Sequence, residues 1–317
     1  MSFAINPLGT GAAEVVGLDC SVPFYPDIFH TVKHEFLDNP VLVFRDQTLS
    51  ASQLAAFGRQ FGRLERYGNS SSFAGSGGTM VLRQTNARET PDQMLYQSPD
   101  NPDVLIMTNE NRKGLPFIGV VDNAEMWHSD ASHKAEPCQA IVVHVTRNPA
   151  LGGDTEFCDM RAVYDALSSD TKTTLDGCLT LHHWSKSLNP RFTAMLYANA
   201  REEGNRIARI IPPLAQPAVR THPESGRSSL YISPHFTIRI DGIPQNLSDA
   251  LLAQLYEFAD NPRFHYRHEW RENDLVIWDN RCLNHRVRSY SAHDIRCRHR
   301  VTVAGDQPFF RPSAIAA

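Results

Sequence analysis

The sequence lacks several features by which secreted and membrane proteins are recognised. The first 19 residues contain no lysine or arginine and no long apolar core, so they lack the pattern of a signal peptide. The longest apolar stretches, such as 41–44 and 140–143, have the length of a strand and are too short to span a bilayer. We therefore expect a cytoplasmic protein with no membrane partner.

Paired cysteines and an excess of positive charge are missing as well. None of the six cysteines forms a C-x-x-C pair, which argues against a zinc knuckle, and we expect free thiols in a reducing compartment. The 31 basic and 35 acidic residues give a net charge of −4. Nucleic acid binding needs concentrated positive charge, so we exclude nucleic acid as a partner and expect a small-molecule substrate. The composition is compatible with a monomer or a homo-oligomer.

What the sequence does contain is a series of short β-type runs with helical stretches between them. The helical stretches lie near 162–167, 170–179 and 247–259, the last with Ser248 as a candidate N-cap. Strands and helices do not alternate regularly, so the pattern predicts a mainly β fold with inserted helices, a double-stranded β-helix or jelly roll. Strands are predicted at 41–44, 104–108, 140–145, 229–232, 275–278 and 300–303.

One region is predicted to be a loop. Residues 69–79 are rich in serine and glycine, and residues 88–103 are polar with three prolines. We expect the region 66–103 to be a mobile loop that acts either as a lid over a site or as an ordinary surface loop.

The triplet His128-Ser-Asp130 is the first candidate for chemistry. On a strand, residues two apart point to the same face, so these two side chains could grip one metal ion. The triplet alone is a weak signal, since 14 histidines and 35 acidic residues give roughly 1.5 such matches by chance, and a second match, His222-Pro-Glu224, looks like a turn. His285 would complete the two-histidine, one-carboxylate set of non-haem iron(II) oxygenases.

A series of motifs, spread over nearly the whole chain, occurs in the same order as in a known family. Through these motifs the chain resembles the TauD/TfdA family of Fe(II)- and 2-oxoglutarate-dependent dioxygenases, named after taurine dioxygenase and the 2,4-D dioxygenase. The resemblance implies one dioxygenase domain over 1–317. The motifs are the segments 14–19, 41–47 and 61–64, Trp127-His-Ser-Asp130, Gly152-Gly-Asp-Thr155, the segment 220–231, Trp278-Asp-Asn-Arg281, His285, Arg296 and Arg300.

The resemblance implies a cofactor set of Fe(II), 2-oxoglutarate and O2, and it assigns residues to each part. His128, Asp130 and His285 would bind Fe(II). Arg296 would hold the distal carboxylate of 2-oxoglutarate, and Thr155 would hydrogen-bond the same carboxylate. A dicarboxylate taken out of water needs a paired cation, and a guanidinium matches both of its oxygens.

Two further arginines follow Arg296 at alternating positions. Arg298 and Arg300 could therefore face the same side of a strand as Arg296. The resemblance places Arg300 at the metal-proximal end, near the acidic group of the substrate or near 2-oxoglutarate. A desolvated guanidinium without a counter-charge is unfavourable, which favours an anionic substrate. Arg298 has no role in the family and is interpreted as structural.

The substrate pocket departs from the taurine-handling pattern. Ala124 stands where taurine dioxygenase has an asparagine, and Tyr67 stands where it has a histidine. Asn123, His235 and Tyr67 are the candidate substrate contacts, and taurine itself is doubtful as the substrate.

Together, the residues and the resemblance predict an enzyme that hydroxylates an unactivated C–H bond of a small, anionic organic molecule. Where the hydroxylated carbon carries a heteroatom, the C–O, C–N or C–S bond would then break. Desaturation or cyclisation by the same cofactors is an alternative outcome. Two rival classes remain. A metal-dependent hydrolase or lyase would not need Arg296 and Thr155 as a dicarboxylate clamp, and an intact set of three ligands argues against a non-catalytic jelly-roll binding protein.

Overall fold

The computed structural model describes residues 3–66, 93–121, 125–183, 212–291 and 293–312. The helices of this part are α1 (Pro26–Asp38), α2 (Ala51–Phe61), α3 (Met160–Asp165), α4 (Ser169–Leu175) and α5 (Gln245–Ala259). The strands are β1 (Ala4–Gly9), β2 (Ala12–Val16), β3 (Val41–Phe44), β4 (Gln93–Gln97), β5 (Leu105–Thr108), β6 (Phe117–Val121), β7 (Ala140–Arg147), β8 (Thr155–Asp159), β9 (Leu179–His182), β10 (Leu214–Pro217), β11 (Val219–Thr221), β12 (Ser228–Leu230), β13 (Thr237–Ile240), β14 (His265–His268), β15 (Leu275–Asp279), β16 (Leu283–Val287) and β17 (Cys297–Val303).

A nine-stranded major sheet forms the frame of the described structure. Its order is β1-β2-β3-β15-β7-β17-β5-β4-β6, and its pairs are antiparallel except for β2 with β3. Strand β15 lies between β3 and β7 although more than a hundred residues separate it from either one in sequence. Such pairing of distant strands is what the predicted jelly roll requires.

A three-stranded minor sheet, in the order β14-β8-β16, faces the major sheet. Ile141, Val143 and Val276 of the major sheet and Phe157 and Leu283 of the minor sheet belong to one buried apolar cluster. The two inner faces therefore pack together as the layers of a β-sandwich. The prediction of a mainly β jelly roll is confirmed.

Helices cover the outer face of each sheet. Phe36 of α1 and Phe57 and Phe61 of α2 pack with the outward side chains of the major sheet. Helix α2 begins with a capping box, in which the hydroxyl of Ser50 accepts from the backbone N–H of Gln53. Of the helices in the described ranges, none is both long enough and apolar enough to cross a membrane.

Two expectations from the sequence need correction. Residues Gln93–Gln97 lie in the predicted loop 66–103, but they form β4, which is hydrogen-bonded between β5 and β6. The remainder of that prediction falls mostly on 67–92, outside the described residues. Helix α5 begins at Gln245 after Pro244, and Ser248 lies inside it, where its hydroxyl accepts from the backbone N–H of Ile240.

Candidate active site

Two histidines from distant parts of the chain meet at the edge of the minor sheet. The backbone N–H of His128 donates to the carbonyl of His285 (3.0 Å), and that of His285 donates to the carbonyl of His128 (2.7 Å). The centres of the two imidazole rings lie 4.2 Å apart. His285 is opposite Phe157 in the β16–β8 ladder, so its side chain points between the sheets.

The strand geometry considered for His128-Ser-Asp130 is limited to this single bridge. His128 forms an isolated bridge, and the chain turns at Asp130, where the next residue, Ala131, has a φ of +59°. The turn, rather than strand alternation, brings the carboxylate back toward the histidines.

The three predicted metal ligands, His128, Asp130 and His285, do lie together in the structure. One Oδ of Asp130 lies 3.8 Å from Nε2 of His128, and the other lies 3.7 Å from Nε2 of His285. The three ligand atoms all lie within 4.8 Å of one another. Nδ1 of His128 is 2.8 Å from the carbonyl of Met126, so donation to that carbonyl leaves Nε2 with its lone pair directed at the group.

Asn280 holds the Asp130 turn and was missed as a site residue. Its amide oxygen accepts from the backbone N–H of Asp130 (2.8 Å), and its amide nitrogen donates to the carbonyls of Asp130 and Cys138 (2.9 Å each). The signal was present, because Asn280 belongs to the motif Trp278-Asp-Asn-Arg281. Sequence alone did not show which backbone it would bind.

The surroundings of Asp130 and His285 favour the protonation states in which these residues bind a metal. Burial works to raise the pKa of Asp130, but the positive charge of Arg300 and the neighbouring histidines outweigh it and hold that pKa well below its ordinary value. Burial and the nearby His128 hold the pKa of His285 well below the ordinary value. A carboxylate and a neutral imidazole are the ligand forms that metal coordination requires.

Arg300 contacts the same carboxylate. Its Nη2 donates to Oδ2 of Asp130 (3.1 Å), and its Nε donates to the hydroxyl of Thr302 (3.2 Å). Arg300 therefore already has a counter-charge in this structure. This corrects the expectation that only an anionic ligand could neutralise it.

Arg296 has a different environment. Its side chain is buried, and within the part of the chain that the structure describes its Nε and Nη1 have no hydrogen-bond partner. Burial lowers the pKa of Arg296 to about 10. A buried guanidinium with unsatisfied donors fits a site that is completed by an anionic ligand.

Thr155 and Arg298 lie in the same region. Thr155 begins β8 on the face that carries Phe157 toward the major sheet, and its hydroxyl accepts from Nε1 of Trp270 (3.0 Å). Arg298 is paired with Val145 of β7, on the inner face of the major sheet, and lies 4.1 Å from the ring of Trp270. Arg298 and Arg300 thus share the inner face, as alternation predicted.

Of the three candidate substrate contacts, only His235 falls on described residues. Its ring centre is 5.0 Å from that of His128 and 4.6 Å from that of Phe236, so it lies beside the metal-ligand group. Asn123 and Tyr67 lie outside the described residues.

Comparison with known proteins decides the family. Residues 4–303 match the sequence profile described as "Taurine catabolism dioxygenase TauD, TfdA family". The chain belongs to the TauD/TfdA family. Like its relatives, this TauD/TfdA protein is an oxidoreductase, a dioxygenase that uses Fe(II), 2-oxoglutarate (alpha-ketoglutarate) and O2. The predictions of reaction class and cofactors are confirmed, and the rival hydrolase and binding-protein classes are rejected.

Two relatives and one solved structure show how far the similarity extends. The chain is 36% identical over 307 residues to the alpha-ketoglutarate-dependent 2,4-dichlorophenoxyacetate dioxygenase of Cupriavidus pinatubonensis, covering 96% of this chain and 99% of that one. It is 33% identical over 274 residues to the (S)-phenoxypropionate/alpha-ketoglutarate-dioxygenase of Sphingobium herbicidovorans, covering 86% and 84%. A crystal structure of AAD-2 in complex with Mn(II) and N-oxalylglycine superposes with a TM-score of 0.71, at 30% identity over 97% of this chain and 99% of that one.

Proposed function

We propose that this dioxygenase hydroxylates a C–H bond of a small organic carboxylate, and that the product loses a C–O bond where the hydroxylated carbon carries an ether oxygen. Two relatives are named for dichlorophenoxyacetate and phenoxypropionate, which are both carboxylates with an ether-linked carbon. The observation that carries the proposal for this chain is the position of Arg300. Its guanidinium lies within hydrogen-bond distance of Asp130, so a cation stands next to the metal-ligand group.

In this proposal, His128 and His285 hold Fe(II) through Nε2 and Asp130 holds it through its carboxylate. Arg296 and Thr155 bind the distal carboxylate of 2-oxoglutarate. When bound together, iron, 2-oxoglutarate and O2 supply an oxidant strong enough for an unactivated C–H bond.

The chain itself has three tasks in this reaction. The turn at Asp130 and the bridge between His128 and His285 fix the ligand directions. The apolar residues between the two sheets, among them Phe157 and Trp278, keep water from that side of the group. Arg300 orients the carboxylate of the substrate so that its neighbouring C–H bond faces the metal.

The proposal also assigns the compartment. All six cysteines lie within the described residues and are free thiols, and five of them are buried. Free thiols suit a reducing cytoplasm. Fractionation of cells that express the full chain tests the location.

The test of function begins with anaerobic protein, Fe(II) and 2-oxoglutarate, observed for the visible charge-transfer band of the chelate. Dichlorophenoxyacetate, both enantiomers of phenoxypropionate and taurine are then screened for perturbation of the band and for succinate formation in air. The methyl ester of each active acid is the matched neutral control. If the band forms but none of the carboxylates stimulates succinate formation, the proposed substrate class is rejected. If no band forms, the residues assigned to iron and 2-oxoglutarate are rejected.

A further inference from the structure

A second buried guanidinium lies close to Arg296. The side chain of Arg298 is buried, its Nη2 donates to the carbonyl of Gly153 (3.0 Å) and lies 3.3 Å from Oδ1 of Asn148. A Cβ placed on Gly153 would lie 3.7 Å from Nε of Arg296. The two guanidinium groups therefore flank the same glycine.

Arg298 is also linked to Thr155 through Trp270. The guanidinium carbon of Arg298 lies 4.1 Å from the centre of the Trp270 ring, and Nε1 of Trp270 donates to the hydroxyl oxygen of Thr155 (3.0 Å). The backbone carbonyl of Trp270 accepts from Asn148, which also contacts Arg298. Since the Thr155 oxygen accepts from Trp270, its own hydrogen is directed to another acceptor.

The nearby acids are occupied by other cations. Asp154 pairs with Arg267 (2.6 Å), and Asp274 pairs with Arg45 (2.6 Å). Across the described ranges, no acidic side chain forms a salt bridge with Arg296 or Arg298. Burial and the charge of Arg296 lower the pKa of Arg298 well below the ordinary value, which reflects two like charges in one dry pocket.

We propose that Arg298 is a positioning residue for 2-oxoglutarate, which orients the hydroxyl of Thr155 through Trp270 and adds a second positive charge that selects for the distal carboxylate. The inference rests on the proposed function, because it takes Arg296 and Thr155 as the residues that bind that carboxylate. It gives a role to the one arginine of the alternating series that sequence interpretation left as structural.

The test compares two ligands that differ only in the distal carboxylate. Fe(II)-loaded enzyme is titrated anaerobically with 2-oxoglutarate and with 2-oxovalerate, and the charge-transfer band and calorimetry give the dissociation constants. We expect Arg298→Met to weaken the binding of 2-oxoglutarate about tenfold, as for the loss of a partly screened unit charge near a carboxylate. The dissociation constant of 2-oxovalerate should change by less than about twofold. Trp270→Phe, which keeps an aromatic ring but removes the indole N–H, should weaken the binding of 2-oxoglutarate selectively by about threefold.

The control is Arg147→Met. Arg147 is half-exposed at the end of β7 and pairs with Glu272 on the surface, so the variant loses the same charge outside the pocket. It should leave both dissociation constants unchanged. Should Arg298→Met fail to fold by circular dichroism, Arg298→Lys and Trp270→Phe decide the matter, the lysine variant being expected to retain part of the preference for 2-oxoglutarate.

Each other outcome counts against a distinct claim. Equal weakening of the binding of both ligands by the variants would mean that Arg298 only supports the local fold, and two unchanged dissociation constants would mean that it has no influence on the distal carboxylate. Either result overturns this inference while leaving the proposed function intact. If the wild-type enzyme shows no preference for 2-oxoglutarate over 2-oxovalerate, the assignment of Arg296 and Thr155 fails instead.

Discussion

Nη2 of Arg300 and Oδ2 of Asp130 are 3.1 Å apart, so one carboxylate links a cation to the candidate metal ligands. The same oxygen of Asp130 lies 3.7 Å from Nε2 of His285, and the other oxygen lies 3.8 Å from Nε2 of His128. Arg300 is therefore placed to orient Asp130 as well as a substrate. This double role makes its substitution informative.

For Arg300→Ala, we expect the substrate KM to rise by roughly 30-fold or more, because a charge-assisted contact in a partly buried site is worth about 2–5 kcal/mol when broken from one side. Uncoupled decarboxylation of 2-oxoglutarate should survive. Both are measured as succinate formed with and without substrate, and Arg300→Lys should be intermediate. If 2-oxoglutarate binding weakens and uncoupled decarboxylation falls with it, the partner of Arg300 is the cosubstrate and the substrate need not be anionic.

Replacement of His128, Asp130 or His285 by Ala should abolish turnover. Three protein ligands leave none to spare, so the loss of any one should remove iron affinity and geometry together. Metal content after dialysis and succinate production at saturating Fe(II) are the measurements. A variant with near-normal succinate production would show that the residue it replaces is not a ligand.

Arg296→Ala should raise the 2-oxoglutarate requirement far more than the substrate requirement. Breaking a charge-assisted pair in a dry pocket costs about 2–5 kcal/mol, or roughly 30-fold or more in affinity. Thr155→Ala should act in the same direction but more weakly, by about 1–3 kcal/mol. Steady-state KM values for both substrates are compared, and an unchanged KM for 2-oxoglutarate in Arg296→Ala would place the carboxylate clamp elsewhere.

Asn280→Ala should weaken metal binding although Asn280 is not a ligand. Its amide holds both backbone groups of Asp130, and loss of such outer contacts commonly costs about 10–100-fold in metal affinity. Titration with Mn(II) gives the affinity without turnover. Asn6→Ala, at an exposed position of β1, is the control, and equal affinities in the two variants would contradict the positioning role of Asn280.

Asp279 should make stability depend on acid pH. Burial works to raise its pKa, but the charge and hydrogen bonds of Arg281 and the contact with His222 hold it well below the ordinary value. Because the unfolded chain binds this proton more readily, the stabilisation is present above the unfolded pKa of about 3.9 and is lost as pH falls below it. Asp279→Asn should cost about 3–5 kcal/mol at pH 7, as for a broken buried pair.

Urea unfolding at pH 7, 4 and 3 measures that effect. The free energy of unfolding should fall from pH 4 to pH 3 more steeply in the wild type than in Asp279→Asn. Asp165→Asn is the control, since Asp165 is exposed in its pair with Arg227. The same acid slope in wild type and Asp279→Asn would contradict the assignment.

The sequence predicted the residues that recur in ordered motifs. His128, Asp130, His285, Arg296 and Arg300 were all named from it, and the structure brings the three candidate ligands together. Each has a side chain whose chemistry is recognisable without its neighbours, and their order along the chain matches a known family.

Asn280, which was missed, acts through contacts that only the folded chain makes. It binds the backbone of Asp130, which is 150 positions away in sequence, and the contacts of Arg298 with Gly153 and Trp270 are of the same kind. Local pattern also failed at Asp130, where a turn replaces the expected strand, and at Gln93–Gln97, where partners on both sides make a strand from a polar segment. In each case tertiary hydrogen bonds override the local preference.

The bridge between His128 and His285 has a consequence for how this gene can change. The side chains of β16 alternate, so His285 faces inward only while it stays opposite Phe157. An insertion of a single codon between Cys282 and His285 would turn the imidazole outward and bring Asn284 or its neighbour inward. A change of length in this short segment therefore removes a ligand in one step, as substitution of His285 itself would. Tolerated insertions should therefore be confined to the loops outside it.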